Sequence, residues 1–511
     1  MSLVNICFKD TDFEHDVYEL IRAFYPGESF VSVYPDREEK ALPEVPRLTF
    51  EVKRREGEYL ITASEGEGQP GHVARAALLS FPPGKGEDGT EELDAGQMRT
   101  LRKANKDRIK HALYGMLVQM TGKTLPWGNL TGIRPAKLAS GFLKEGIRGE
   151  EAVRELRERY LVSQEKASLA VSIAETEEKL LSGFDLEKGY SLYIGIPFCP
   201  SICLYCSFSS SPLGLWEKRV DEYLDALCLE MTEVSAMLGS RGKLESVYIG
   251  GGTPTSLNGP QLTRLLSHLS ACFDLSNLRE FTVEAGRPDS IDREKLLALR
   301  AFPVDRISVN PQTMNQKTLD LIGRRHTVED TGRAFALAQE VGFTNINMDI
   351  IVGLPGEGRE EVAHTLAEIE KLSPDSLTVH TLAVKRAARL SLFKEEYLEM
   401  SSEDNEEVIR LAGEAAGRMG MIPYYLYRQK NMRGNFENVG YAKVDKAGIY
   451  NILIMEEKQS IIALGAGGAT RLVLDGGERV ERIENVKDVR NYLSRVEEMV
   501  ERKREALCAL F

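Results

Sequence analysis

The sequence predicts an α/β protein: a parallel sheet flanked by an N-terminal α+β accessory region and a C-terminal α+β cap. Three observations point there. From about residue 190, short apolar runs alternate six times with amphipathic helical stretches, the pattern of parallel strands joined by helical crossovers. The unusual residues of the chain fall at the C-terminal ends of those runs, where parallel α/β sheets place their chemistry. At 511 residues the chain exceeds one ordinary domain, and a hydrophobic content of 42% supplies sizeable cores.

Residues 1–185 read as the accessory region. β-like runs at 4–8, 48–52, 59–63 and 73–81 sit among Gly/Glu-rich turns, and a polar loop covers 82–96. A long helical pattern spans 97–121, a turn-rich stretch at 125–140 carries Arg134 and Lys137, and charged helices continue to about 182. Residues 186–395 form the core, with strands expected at 191–196, 245–250, 279–284, 305–309, 345–351 and 376–382. Helices are expected at 216–238, 259–271, 292–300, 315–322, 328–341 and 358–372. Periodicity does not decide between a closed barrel and an open arc. Residues 396–511 read as a separate domain: a helix at 403–419, short strands at 424–429, 450–455 and 461–466, and a charged helix at 486–507.

Several classes are disfavoured. A formal charge of −13 argues against general affinity for nucleic acid, a local basic site aside. No run approaches the ~20 apolar residues of a membrane span, and residues 1–15 lack a basic stretch followed by an apolar one, so no secretory signal is read. Of seven cysteines, Cys7, Cys228, Cys272 and Cys508 read as ordinary buried thiols. A disulfide framework is not expected, and a reducing cytoplasm is the expected location.

The other three, Cys199, Cys203 and Cys206, share a C-x3-C-x2-C window directly after the apolar run 192–197 (LYIGIP). Three thiolates can hold three irons of a [4Fe–4S] cluster and leave the fourth open to a small chelating ligand. A structural zinc site usually takes four ligands in paired spacings, and no fourth Cys or His lies in this loop. Three unrelated core cysteines are the remaining alternative.

The later strand ends carry polar groups in series. The second runs into 250–255 (GGGTPT), where glycines let backbone approach a ligand closely, although a plain tight turn has the same composition. The third ends at Glu284, which a solvated edge would also explain; the fourth leads through Gln312 toward 322–326 (IGRRH). The fifth holds Asp349 between Met348 and Ile350, where an unpartnered acid would be costly. Together they describe a polar rim suited to a zwitterionic, sugar-bearing ligand, with Arg324 available to a carboxylate.

With these residues in view, the chain resembles the radical S-adenosylmethionine superfamily, and within it the oxygen-independent coproporphyrinogen III oxidase family. The resemblance rests on 193–208 (YIGIPFCPSICLYCSF), 250–255, Gln312, 322–326, 347–355 (NMDIIVGLP) and 465–471 (GAGGATR). Residues 130–137 and 425–441 are most similar to a long, Firmicute-type branch with an extra N-terminal region.

The resemblance implies a partial (β/α)6 barrel whose Cys199, Cys203 and Cys206 ligate the cluster. S-adenosylmethionine would chelate the open iron, contacted by Tyr193, Tyr205, Gly251, Gly252, Thr253, Glu284, Gln312, Arg324 and Asp349. It implies radical decarboxylation: hydrogen taken from the β-carbon of a propionate, then loss of CO2 and one electron to leave a vinyl group. Two such events convert coproporphyrinogen III to protoporphyrinogen IX. A low-potential electron donor and an electron acceptor are implied partners. For the substrate's carboxylates the chain offers Lys385, Arg386 and Arg389, and Arg428, Lys430 and Arg433, although a solvated basic face accounts for any one of them equally well. Two departures bear on this. The family's fourth cysteine, two residues after the third, is Phe208 here. The heme-trafficking relatives carry a His-Asn-x-x-Tyr-Trp motif, and the corresponding stretch, 449–455 (IYNILIM), keeps Asn451 without the His. A heme-binding chaperone without oxidase turnover is the alternative reading.

Overall fold

The computed structural model describes residues 3–34, 46–66, 70–79, 95–132, 134–208, 210–239, 242–382, 405–428, 437–477 and 479–510. Two compact units divide after Ser172.

In the first unit, strands β1 (Leu3–Phe8), β2 (Ser29–Val33), β3 (Leu48–Arg55), β4 (Glu58–Glu65) and β5 (His72–Ala77) form one sheet in the order β2-β1-β3-β4-β5. Helix α1 (Glu14–Phe24) buries Val17, Leu20, Ile21 and Phe24, an i, i+3, i+4, i+7 stripe. These join Ile6, Phe8, Phe50, Val52 and Ile61, and Leu113 and Leu117 of α2 (Ala95–Thr121), in one core. Helices α3 (Pro135–Lys144), α4 (Gly149–Tyr160) and α5 (Gln164–Leu180) follow, the division falling inside α5. The expected β-like runs are β1, β3, β4 and β5; α1 and β2 were not foreseen.

The second unit is built on β6 (Gly189–Ile196), β7 (Phe198–Cys199), β8 (Ser211–Pro212), β9 (Lys243–Gly251), β10 (Glu280–Glu284), β11 (Arg306–Ser308), β12 (Ile346–Val352) and β13 (Ser376–Thr381). Its crossover helices are α6 (Val220–Leu238), α7 (Gly259–Cys272), α8 (Arg293–Arg300), α9 (Gln316–Leu321), α10 (Val328–Glu340) and α11 (Arg359–Leu372). After α12 (Asn405–Arg418) come β14 (Ile422–Tyr427), β15 (Asn438–Ala442), α13 (Ile449–Glu456), β16 (Ser460–Leu464), β17 (Ala469–Leu474), β18 (Arg479–Glu484), α14 (Val489–Ser494) and α15 (Val496–Leu510). All long strands join one sheet, in the order β14-β15-β13-β12-β11-β10-β9-β6-β16-β17-β18. Its edges are β14 and β18, so the sheet is an open arc.

Three expectations are corrected. The C-terminal region is not separate: β16 pairs in parallel with β6, and β15 pairs antiparallel with β13. Among the described residues, seven parallel strands therefore stand where six were counted. All five β16 residues are buried, the near-continuous apolar run of a strand covered on both faces. The expected strand at 450–455 is helix α13; short apolar runs do not separate strand from buried helix by periodicity. Of the four remaining cysteines, Cys228 is buried, Cys7 and Cys272 are half-buried, and Cys508 is exposed.

Alternation explains which face does what. Ser191 and Tyr193, Ser246 and Tyr248, Glu280, Thr282 and Glu284, Arg306 and Ser308, Asn347 and Asp349, and Ser376 and Thr378 share one face by their period of two and by register. The residues between them, among them Leu192, Val247, Phe281, Ile307, Met348 and Leu377, are buried hydrophobics of the opposite face. α13 lies against the polar face: Tyr450 stacks on Tyr248 at 4.5 Å and on Tyr193 at 6.5 Å, and its N–H donates to Glu280 at 3.0 Å.

A buried polar hub ties the C-terminal segment to β6. Glu230 on α6 accepts from Gly465 N–H, Tyr492 Oη, Asn485 Nδ2 and Lys503 Nζ at 2.6–2.8 Å, and both Glu230 and Lys503 are fully buried. Tyr223 Oη donates to the Gly195 carbonyl and accepts from Ala466 N–H. Lys503→Met leaves Glu230 buried without its cation. The expected cost is about 3–5 kcal/mol, read from urea unfolding of the full chain on the transition that belongs to the second unit.

Candidate functional site

The end of β6 and the end of β9 are held unusually close. Gly252 N–H donates to the Ile196 carbonyl at 2.8 Å, and Thr253 N–H to the Phe198 carbonyl at 2.7 Å. A Cβ on Gly252 would lie 2.6 Å from the Phe198 oxygen, and Gly251 has φ +111°. Only glycine fits both positions. The cysteine loop emerges from this contact, braced by Ser211 N–H to the Pro197 carbonyl (2.7 Å) and Leu204 N–H to the Ile322 carbonyl (2.9 Å). Cys199 and Cys203 are buried and Cys206 half-buried, all three as free thiols. Burial raises the thiol pKa of Cys199 and Cys206.

A cavity of about 250 Å3 opens beside the thiols. Eight of the nine residues expected around the cofactor line it with the three cysteines: Tyr205, Gly251, Gly252, Thr253, Glu284, Gln312, Arg324 and Asp349. The ninth, Tyr193, is not in the lining; a Cβ on Gly251 would sit 3.4 Å from its hydroxyl. Glu284 accepts from Tyr248 Oη at 2.6 Å, and burial lifts its carboxyl to about 7, with Asp349 adding to the rise. Asp349 accepts from Asn347 Nδ2 at 2.7 Å and lies 3.8 Å from His380 Nε2. Despite its burial, His380 holds its carboxyl below the usual range. Arg324 is pinned by the Asn310 carbonyl at 2.5 Å.

Gln312 adopts φ +66°. It is kept there by Gln312 N–H to the Asp349 carbonyl and Ile351 N–H to the Gln312 carbonyl, at 3.0 and 2.9 Å. Such a conformation costs on the order of 1–3 kcal/mol in a non-glycine residue and persists only where surroundings impose it. Its buried Oε1 has no hydrogen-bond partner among the described residues.

The tentative substrate residues fare differently. Lys385 and Arg386, like Arg389, Lys430 and Arg433, lie outside the described residues. Arg428 is buried, its guanidinium pushed down to about 10 by burial against the opposing pull of Glu437, and it is not part of the cavity lining. The structure adds residues that sequence reasoning missed: Arg287, Asn310, His380 and Tyr427 also line the cavity. His380 stands between Asp349 and Tyr427 Oη, the latter 3.3 Å from Nδ1. The polar–apolar alternation of 376–381 (SLTVHT) placed His380 on the same face as Ser376 and Thr378, a signal available in the sequence.

The donor set suits the implied groups. No three His, Cys, Asp or Glu side chains among the described residues converge on a single metal ion; a cubane takes its thiolates on separate irons and needs no such convergence. Soft sulfur ligands suit an iron–sulfur cluster, as they suit zinc or Cu(I). The carboxylates, Arg324 and the buried Gln312 oxygen match an amine, a carboxylate and ribose hydroxyls.

Comparison with known proteins defines the class first. The Radical SAM superfamily model matches residues 193–369, from β6 through most of α11. This is a radical SAM fold, and its cofactors are a [4Fe–4S] cluster and S-adenosylmethionine. The chain is 41% identical over 409 residues to the oxygen-independent coproporphyrinogen-III oxidase-like protein HemZ of Bacillus subtilis (strain 168), covering 80% of this chain and 82% of that protein. The chain belongs to this family of coproporphyrinogen oxidase-like radical SAM proteins.

It is also 39% identical over 196 residues to the heme chaperone HemW of the same organism, and 34% identical over 197 residues to the oxygen-independent coproporphyrinogen III oxidase of Escherichia coli (strain K12). Those matches cover 38% and 39% of this chain, and 51% and 42% of the relatives. The solved structure of E. coli coproporphyrinogen III oxidase superposes with a TM-score of 0.50 at 23% identity, over 64% of this chain and 73% of that one, a likeness of fold.

Gly252→Ala tests the backbone contact. The added methyl overpacks against the Phe198 carbonyl and is expected to destabilise the loop by about 1–3 kcal/mol. Iron and sulfide bound per chain after anaerobic reconstitution should fall well below the wild-type value.

Proposed function

We propose that this protein oxidatively decarboxylates propionate side chains of coproporphyrinogen III to vinyl groups, giving protoporphyrinogen IX without oxygen. Cys199, Cys203 and Cys206 would hold the cluster, and the eight lining residues, with Tyr193 behind them, would hold S-adenosylmethionine. When bound and reduced, these groups supply a carbon radical able to take hydrogen from a propionate β-carbon. The chain's own task is to orient the partners and keep water out. A low-potential electron donor and an electron acceptor complete the reaction, and the cytoplasm is the proposed setting; no helix among the described residues is long and apolar enough to cross a membrane.

The observation that carries this reading over a chaperone role is the place of Tyr450. It occupies the position of the histidine in the trafficking motif, yet it is buried and stacked against Tyr248 and Tyr193. A side chain committed to that packing offers no ligand to a heme iron. The wider lining supports a porphyrinogen substrate as well. Phe208, 74% exposed, and Leu382 offer apolar surface.

Phe208 in place of the family's fourth cysteine, together with the similarity to a heme chaperone, sustains the second reading. Anaerobic turnover of the reconstituted chain with coproporphyrinogen III separates the two: protoporphyrinogen formation supports the oxidase, whereas stoichiometric heme binding without CO2 release supports the chaperone. In the same assay His380→Asn, which removes the imidazole beside Asp349, should raise the KM for S-adenosylmethionine roughly tenfold, the worth of one charge-assisted hydrogen bond, with a smaller effect on kcat.

A further inference from the structure

Each thiol of the cysteine loop has a polar hydrogen-bond partner from elsewhere in the chain. Thr253 Oγ1 lies 3.5 Å from Cys199 Sγ, and Ser210 Oγ lies 3.9 Å from Cys206 Sγ. Arg287 Nη1 lies 3.5 Å from Cys203 Sγ. The first two are neutral hydroxyls; the third is a permanent cation. Arg324, a second cation, also faces Cys203, and it shares the cavity lining with Arg287.

Arg287 is held with little freedom. It sits in the loop after β10, directly before Pro288, with φ −120° and ψ 105°, the extended backbone that a following proline favours. Its Nε and Nη2 grip Asp289 at 2.9 and 2.8 Å. Nη1 reaches the Ser201 carbonyl and Nη2 the Ser201 hydroxyl, both at 3.1 Å. The residue is 3% exposed. The Arg287–Asp289 pair is therefore a fixed dipole buried beside the loop, with its positive end on Cys203 Sγ and its negative end turned away. A surface ion pair of the same composition would be mobile and screened; this one is neither.

We propose that Arg287 sets the reduction potential of the cluster through Cys203, making it easier to reduce than the three thiolates alone would allow. Reduction transfers one electron from a low-potential one-electron donor to the cluster; no bond to the protein breaks and no proton moves. The cluster and its thiolates gain one negative charge, so an N–H aimed at a ligand sulfur is a stronger hydrogen bond after reduction than before. Arg287 is thus a positioning residue that acts through a ligand. The inference rests on the three cysteines holding the cluster and not on which substrate is used.

The test is a redox titration of the reconstituted full-length chain, followed by electron paramagnetic resonance, with iron and sulfide counted in every sample. Arg287→Met should shift the midpoint to more negative potential. Asp289→Asn, which removes the opposing carboxylate and leaves the guanidinium, should shift it to less negative potential. Arg287→Lys should fall between wild type and the Met variant. Opposite shifts at two adjacent residues are not what simple loosening of the loop produces. Wild-type midpoints in variants that retain a full cluster overturn the proposal. Should Arg287→Met lose its cluster, the Lys and Asn variants decide: a negative shift in the first with a positive shift in the second supports the role, and any other pair of shifts rejects it. A wild-type chain that binds no cluster fails at the iron count, which marks the failure of the cluster reading itself.

Discussion

Two backbones forced into contact at the ends of β6 and β9 are the constraint on which the site depends. Loops are ordinarily the mobile part of a fold, yet a cluster needs three sulfurs presented together. Here the order comes from strand register. Ile196 pairs with Gly251, Gly252 is packed against the Phe198 carbonyl, and Thr253 follows at once, with its hydroxyl on Cys199. One run of glycines therefore closes the backbone gap and delivers the first hydrogen bond to a thiol. Any side chain at position 252 would pry the loop from the sheet.

That contact is itself supported from far along the chain. β6 is an interior strand because β16 pairs on its other side, and the turn after β16 is locked by Glu230, Tyr223, Tyr492 and Lys503. The C-terminal region is thus part of the frame that holds the cysteine loop. α13 serves the same sheet from its polar face, where Tyr450 closes a stack with Tyr193 and Tyr248 beneath Glu284. The polar face is expensive to bury unless its groups find partners, and α13 with the strand hydroxyls supplies many of them.

Much of this was legible before any coordinates. The C-x3-C-x2-C window, the glycine run and the acids at Glu284 and Asp349 are local patterns, and the structure gathers them around one cavity. Elements were less legible where the pattern was ambiguous: 450–455 is apolar but for Asn451 and serves equally as a strand or a buried helix until its neighbours are known. Arg428 is a different case. Its charge suggested a ligand to substrate; the side chain is buried and is not part of the cavity lining, although its neighbour Tyr427 is. His380 was overlooked because its signal lay in the alternation of a strand read only for its apolar residues.

The sequence by itself determined the class of chemistry, because ligand spacing and strand-end placement are set within a few residues and period-two alternation needs no partner to be visible. Tertiary structure decided what pairs with what: β16 beside β6, α13 against the polar face, and Arg287 against Cys203 across 84 residues of chain. The physical reason is that the entropy of closing a loop rises only slowly with its length, so sequence distance says little about which distant segments meet. Packing and hydrogen-bond satisfaction choose among them. The cluster's three ligands were foreshadowed by the spacing of the cysteines; the charge poised behind one of them came into view only when the chain was folded.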